Sequence, residues 1–269
     1  MSRLTTALPK FSFDVSKKSW ITLGLVLWFY FVISQIPAVW LGYALTRSGD
    51  LALSGVTGTI WSGSASLASI KIRQVDHSLG QLTWKVKGWS FLTLKPCAKI
   101  TTQMDNQQFE GNVCLAGLKA IELRDTAISL PANQLQQLLP LAIDGQLSIN
   151  TDKLLLKKDQ APVGHAKVSW MGARIYNGAN WMTLGGIGAD LTGDAKAGIS
   201  GHLFDVNSPL HLDLVTTGIL TSAINIKGGV SMPEPYFREI NAAAWMSMFA
   251  TPQPNDAQGN VVYTLDLNF

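Results

Sequence analysis

The stretch VVYTLDLNF, residues 261–269, decides the expected fold, because apolar and polar side chains alternate along its length. The odd positions from Tyr263 to Phe269 are apolar, whereas the even positions from Thr264 to Asn268 are polar. A period of two residues is typical of a β-strand that buries one face and exposes the other. This stretch therefore predicts a half-buried strand.

The same alternation recurs after residue 46, and Gly (24 residues) and Pro (11 residues) punctuate the short apolar runs. Two stretches predict short helices instead: Pro131–Leu139, with a proline in its first turn and Pro140 ending it, and about Pro235–Phe249. We expect a mainly β fold, in which a single N-terminal transmembrane helix precedes a twisted, mostly antiparallel sheet domain with two short helices. The other alternating stretches are Ile70–Arg73, Leu82–Lys87, Leu210–Leu214 and Ile224–Lys227.

The N-terminal segment is basic and then apolar. Residues 1–18 carry four basic side chains and one acidic side chain, which account for the whole net charge of +3. No charged residue lies between Ser19 and Thr46, and about 20 apolar residues suffice to cross a bilayer. The positive-inside rule predicts a cytoplasmic tail (1–18), a transmembrane anchor with its juxtamembrane segment (19–46) and a domain outside the cytoplasm (47–269). The membrane-flanking residues are Lys17, Lys18, Trp20, Trp40 and Tyr43.

Two alternatives to an uncleaved anchor stay open. A cleaved signal peptide has a shorter apolar core and a small-residue cleavage site, and no such site follows this segment cleanly. A buried core helix could be equally apolar, but it would not usually combine this length with flanking lysines and aromatic residues.

The β-rich part shows a weak internal similarity. Residues 53–88 and 143–175 each contain a Gly-bearing strand followed by an apolar strand with a central Trp. Two repeated halves, 47–130 and 141–269, would explain this pattern. Chance similarity between strands is the alternative.

The two cysteines of the chain, Cys97 and Cys114, flank an alternating segment with Asp105-Asn106 at its centre. If these two residues form a tight hairpin turn, Cys97 and Cys114 lie directly opposite each other at a non-hydrogen-bonded pair. Cα atoms about 4.5 Å apart at such a pair accept a disulfide. We predict a structural disulfide, with two buried free thiols or a reactive pair as the alternatives.

No constellation for catalysis or metal binding is evident in the sequence. The four histidines (His77, His165, His202 and His211) lack zinc-ligand spacing, and the run Gly185–Gly188 lacks the rest of a phosphate-binding loop and predicts a turn or bulge. The few glutamates form no evident acid/base pair. The balanced charge of residues 19–269 gives no basic face for nucleic acid. We expect no enzyme activity, no cofactor, no metal and no nucleic-acid partner.

The segment Leu53–Ala65 (LSGVTGTIWSGSA) follows the predicted anchor, and Leu82–Trp84 and Trp89–Leu92 come after it. Together they resemble protein N of the bacterial type II secretion system. Within the segment, Gly55, Gly58 and Gly63 surround Trp61, so that the chain can bend sharply while one large side chain anchors it. We interpret these four residues as a structural family motif, with partner contact by Trp61 as the alternative.

The resemblance implies a single-pass protein of the bacterial inner membrane, with a cytoplasmic N-terminus and a periplasmic C-terminal domain. Such a protein supports the export of folded proteins across the outer membrane by contacts with other inner-membrane or outer-membrane subunits of the secretion system. The family is also similar to AsmA-like envelope proteins. A periplasmic module that binds or transfers lipid is therefore the alternative function.

Overall fold

The computed structural model of this protein describes residues 17–268, apart from 48, 73–74, 118–119, 137–141, 158–159, 177, 179 and 220–222. Its helices are α1 (Lys17–Ser34), α2 (Ala38–Thr46), α3 (Glu234–Glu239) and α4 (Ala242–Met246), and its 3-10 turns are Gly88–Thr93 and Ala132–Leu135. Its strands are β1 (Leu51–Ser54), β2 (Thr57–Gly58), β3 (Ser62–Ile72), β4 (Val75–Lys87), β5 (Cys97–Met104), β6 (Gln107–Leu115), β7 (Ala120–Pro131), β8 (Ile143–Lys157), β9 (Val163–Tyr176), β10 (Trp181–Asp194), β11 (Gly198–Val206), β12 (His211–Ile219), β13 (Ala223–Met232), β14 (Ala250–Gln253) and β15 (Val261–Asn268).

The strands within this part of the chain make one antiparallel sheet, which confirms the mainly β prediction. From β3 to β13 each strand pairs with the next one in the sequence, and the full order is β1-β3-β4 through β13, then β15 and β14, with β2 beside β3. All the predicted alternating stretches lie wholly or partly in these strands. A meander of this kind follows from short turns between strands of similar length.

The sheet crosses the boundary between the two predicted halves without a break. β7 and β8 pair over most of their length, with Leu130 opposite Leu147. The halves 47–130 and 141–269 thus share one sheet, and their duplication stays a prediction.

Both predicted helices after residue 46 differ in extent from the sequence prediction. The helix over Pro131–Leu139 is wrong at its start, because Pro131 ends β7 and lies opposite Gln146. Sheet pairing overrides the preference of proline for a first helical turn here, and only the turn Ala132–Leu135 follows, with residues 137–139 outside the described part. The second helix is divided into α3 and α4 at Asn241, whose φ of 49° is left-handed.

The apolar N-terminal stretch forms two helices, whereas the sequence predicts one anchor. Helix α1 ends at Ser34, Pro37 makes an isolated β-bridge with Thr59, and α2 begins at Ala38, which is fully buried. Within the described residues, no helix has the length and apolarity that crossing a membrane requires. The predicted anchor is therefore not confirmed, and its tail, residues 1–16, lies outside the described residues.

Two helical caps cover the same face of the sheet, here called the inner face, at opposite ends of the meander. Helix α2 packs on β3 and β4, where Ala65 and Trp84 are buried. Helices α3 and α4 pack on β9 to β15, where Met232, Met246 and Tyr263 are buried. The described residues of the sheet thus form two separate hydrophobic cores.

Candidate functional site

The predicted family motif lies where α1 meets the sheet. Trp61 is half-buried, and its Nε1–H donates a hydrogen bond of 2.7 Å to the carbonyl oxygen of Ile33 in the last turn of α1. The backbone N–H of Ile60 donates a second bond, of 3.0 Å, to the carbonyl oxygen of Ile36. Trp61 therefore connects the apolar helix to the β-domain, a contact that we call the α1 junction.

Two glycines of the motif allow neighbouring strands at this junction to approach closely. Gly58 and Gly63 lie opposite each other in β2 and β3, and Gly58 has a φ of +90°. A Cβ atom at Gly63 would lie 2.5 Å from the indole of Trp84 and 2.6 Å from the carbonyl oxygen of Thr57. Glycine is required at both positions, for backbone conformation at one and for space at the other. Gly55, also at positive φ, lies in the bend just before β2.

The buried tryptophan of this region is Trp84, not the tryptophan of the motif. Its ring packs among the residues beneath α2, and its Nε1–H donates to the carbonyl oxygen of Ile60 at 3.3 Å. Beneath α2 lies an apolar cavity of about 160 Å³, lined by Leu41, Gly42, Leu45, Leu53, Leu82, Trp84, Val86, Ala98 and Ile100.

The cysteines are joined by a disulfide at the base of the β5–β6 hairpin. Met104 and Gln107 close the hairpin around Asp105-Asn106, and Cys97 lies directly opposite Cys114 with their Cα atoms 4.0 Å apart. This is the register that the sequence predicts from the turn. The bridge holds Cys97, a few residues after the turn Gly88–Thr93, to the neighbouring strand.

The predicted membrane-flanking residues that the structure describes are exposed. Trp20 at the start of α1 and Trp40 and Tyr43 on α2 are all more than half exposed, and Lys18 is exposed as well. Lys17 is the first residue of α1. The apolar side chains of α1 are exposed all round the helix, from Trp20 to Ile33.

One buried carboxylate was not singled out from the sequence. Glu122 on β7 is only 4% exposed, and it accepts a hydrogen bond of 2.6 Å from Nε of Arg124, with Nζ of Lys153 at 3.7 Å. The bond from Arg124, assisted by the positive charges of Arg124 and Lys153, holds the pKa of Glu122 below its ordinary value against the opposing effect of burial. The three residues belong to two paired strands and stabilise the sheet. Glu122 and Arg124 share a face because they are two positions apart on β7. Lys153 joins them through the β7–β8 register, which no spacing in the sequence reveals.

The residues considered for metal binding or catalysis lie apart. Nε2 of His202 contacts Asp213 at 2.8 Å, and Nδ1 of His211 lies 3.4 Å from Asp205, as separate surface pairs. In the described ranges no group of three or more His, Cys, Asp or Glu side chains could hold a metal ion. Gly185 lies at a β-bulge in β10, which confirms the turn-or-bulge interpretation of the run Gly185–Gly188.

An apolar row crosses the inner face from strand to strand. Directly opposed residues of paired strands place their side chains on the same face, so the register defines the row. Its middle, from β6 to β9, is half-buried and belongs to neither core among the described residues. We call the whole row, from β4 to β12, the central row. Apart from the buried Thr102 it is apolar, and it consists of Leu82, Thr102, Phe109, Ile128, Ile149, Val168, Ala189, Leu203 and Leu214.

Known proteins similar to this chain share one description. The family model for protein N of the type II secretion system matches residues 49–259. The chain is 28% identical over 171 residues to "Type II secretion system protein N" of Aeromonas hydrophila, an alignment covering 61% of this chain and 66% of the relative. The proteins of the same name from Klebsiella pneumoniae and Vibrio cholerae are 25% and 26% identical, over 76% and 60% of this chain and 79% and 65% of the relative. No solved structure matches significantly.

The family match covers the sheet from just before β1 to the residues preceding β15, including the motif at the α1 junction and the disulfide hairpin. The chain belongs to the type II secretion system protein N family.

Proposed function

We propose that this protein is a non-enzymatic, inner-membrane-anchored component of the type II secretion system that supports export of folded proteins through protein contacts. One observation carries the proposal: a single continuous sheet is joined through Trp61 to a helix whose apolar side chains all face outward. In water such a helix would expose a large apolar surface, which marks a membrane or protein contact. A sheet fixed at one end to a membrane can serve as a scaffold for other subunits.

The anchor in this proposal is helix α1. Its 18 residues rise about 27 Å, against the ~30 Å of a typical hydrocarbon layer, so α1 by itself falls short of the span that a transmembrane helix requires. Flanking aromatic and basic side chains accommodate a mismatch of this size, and Trp20 and Lys18 lie at its start. Under this proposal the N-terminus is cytoplasmic, and the sheet lies in the periplasm, an oxidising compartment that permits the disulfide between Cys97 and Cys114.

The secretion role is tested by deleting the gene and measuring where the secreted proteins accumulate. We expect folded cargo to remain in the periplasm and the full-length chain to restore its export. Normal export in the deletion strain would refute the secretion role.

The α1 junction gives a matched pair of variants for the same assay. Trp61→Phe removes the N–H that donates a hydrogen bond to the carbonyl oxygen of Ile33. Trp181→Phe is the control, because it changes a half-exposed tryptophan at the start of β10, in the other half of the strand order. We expect Trp61→Phe to restore export less well than Trp181→Phe at equal protein levels. Equal restoration would show that the junction does not carry the function.

The central row supports a second candidate, a periplasmic module that binds or transfers lipid. Apart from the buried Thr102, its residues are apolar from one core to the other, and an apolar cavity of about 160 Å³ lies at its α2 end. An apolar row that leads into an apolar cavity suits an acyl chain, although any packed β-protein has apolar inner positions. Mass spectrometry of lipids that remain on the purified chain after exchange into lipid-free amphipol distinguishes the two: stoichiometric phospholipid favours lipid handling, and an empty chain favours the scaffold.

A further inference from the structure

The turn Gly88–Thr93 and the two residues after it expose an unusual amount of apolar surface. Trp89 is 84% exposed, Leu94 is 89% exposed and Phe91 is 47% exposed. Isolated exposed apolar residues are common, but three within six positions of one turn indicate a contact surface. We call residues 88–95 the Trp89 loop.

The exposed side chains stand on a fixed backbone. The hydroxyl of Ser90 donates to the carbonyl oxygen of Lys87 and accepts a bond of 2.9 Å from the N–H of Cys97, a residue of the disulfide. Leu94 has a left-handed φ of 54°, and its N–H donates to the carbonyl oxygen of Phe91 at 3.1 Å. Glycine would adopt this conformation without strain, so the leucine adds exposed apolar surface at a position where the backbone does not favour it.

The loop lies beside the end of α1. The ring of Phe91 packs edge-to-face on the ring of Trp61, with centroids 5.7 Å apart, and Trp61 in turn donates to Ile33 of α1 at 2.7 Å. If α1 is the membrane anchor, the loop lies where the chain leaves the bilayer. Tryptophan is typical of this interfacial depth.

The chain segment that contains the loop carries charges of one sign. Between Asp76 and Asp105 the chain contains four lysines and no acidic residue. One of these, Lys99, pairs with Glu110 across the hairpin at 2.6 Å, and the others flank the loop. Of the flanking lysines, Lys95 also attracts the buried carboxylate of Glu122 and contributes to its lowered pKa. Lysines next to exposed aromatic residues are the composition that binds anionic lipid surfaces. The flanking lysines are Lys85, Lys87 and Lys95.

We propose that the Trp89 loop is a second membrane contact, in which Trp89, Phe91 and Leu94 enter the headgroup region of the leaflet where α1 ends. The adjacent lysines bind the phosphates of anionic lipids. This inference rests on the anchoring proposed above. With a helix and a loop both in contact with one leaflet, the β-sheet has a fixed orientation relative to the membrane instead of turning about a single anchor.

The test uses the full chain in lipid nanodiscs, with an environment-sensitive fluorophore attached at Leu94→Cys, since the native cysteines are joined to each other. Ser200→Cys, at an exposed position of β11, is the matched control. We expect the Leu94 probe to shift to the blue and to be quenched by lipids that carry a nitroxide near the headgroup, more strongly when phosphatidylglycerol is mixed with phosphatidylcholine. The Ser200 probe is expected to show neither effect.

Two further variants make the outcome specific. Lys87→Glu combined with Lys95→Glu is expected to remove the additional effect of phosphatidylglycerol. A third probe at Leu25→Cys in α1 reports the anchor itself by quenching from nitroxides deep in the acyl region. A quenched Leu25 probe beside a Leu94 probe that behaves like Ser200 would overturn the loop contact and leave the surface to a protein partner. An unquenched Leu25 probe would overturn the anchor.

Discussion

Replacing both cysteines of the β5–β6 hairpin with serine should lower the free energy of unfolding by about 3 kcal/mol. Cys97 and Cys114 are 17 residues apart in the sequence, and the bridge restricts the unfolded chain by closing this loop. Chain entropy gives the stated magnitude for a loop of this length, if the folded hairpin is unchanged. The hairpin retains its register without the bridge, because the pairs from Ala98–Val113 to Met104–Gln107 remain.

The measurement is urea unfolding of the full chain in non-ionic detergent, followed by tryptophan fluorescence, for the wild type and the Cys97→Ser/Cys114→Ser variant. Each protein is measured with and without a phosphine reductant. We expect the reduced wild type to unfold at a lower urea concentration than the oxidised wild type, and the variant to be insensitive to the reductant. Because Cys114 is only 1% exposed, a serine there also buries a hydroxyl group. A Cys97→Ala/Cys114→Ala variant separates that cost from the loss of the bridge.

Unfolding at the same urea midpoint in all four conditions, with the same dependence on urea, would refute the reasoning. It would mean that the unfolded chain already holds residues 97–114 together.

Three other substitutions test the packing and the charges. Gly63→Ala is expected to cost about 1–3 kcal/mol of unfolding free energy, because the added methyl group meets the indole of β4 at 2.5 Å, whereas Gly229→Ala, with nothing within 4 Å, should be nearly neutral. In thermal unfolding, Met232→Ala, at a fully buried position, should cost about 2–5 kcal/mol and the exposed Met248→Ala less than about 0.5 kcal/mol. Glu122→Gln should flatten the acid side of a plot of unfolding free energy against pH. The pKa of Glu122 is lower in the folded protein than its ordinary value of 4.5, so the carboxylate stabilises the fold fully at pH values above 4.5. This stabilisation is lost as the pH falls through the pKa of the folded state. Equal effects within either substitution pair, or an unchanged acid profile, would contradict these assignments.

Local features of the fold could be predicted from the sequence. A two-residue turn sets the register of the strands beside it, so Asp105-Asn106 is enough to place Cys97 opposite Cys114. Alternation over a few residues likewise locates half-buried strands such as β15. Both signals are contained in the segment that they predict.

Features that depend on several pairings could not be predicted in this way. The central row requires the register of nine consecutive strands, and an error of one residue in any of them would move its side chains to the other face. The bond between Trp61 and Ile33 joins residues 28 positions apart and depends on the break between α1 and α2. The helix predicted from Pro131 fails for the same reason, because its sheet partner, Gln146, lies in another strand.

The strand order at the end of the sheet affects how the chain folds during synthesis. Each strand from β4 to β13 can pair with the strand made just before it, but β15 is made after β14 and yet lies between β14 and β13. Until β15 emerges, β13 keeps an open edge of eight residues, Asn225–Met232, that β15 later pairs. An open edge of this length invites pairing with other chains. Chains whose synthesis stops before β15 should therefore aggregate or be degraded. Only chains that reach β15 can cover the edge of β13 and complete the sheet.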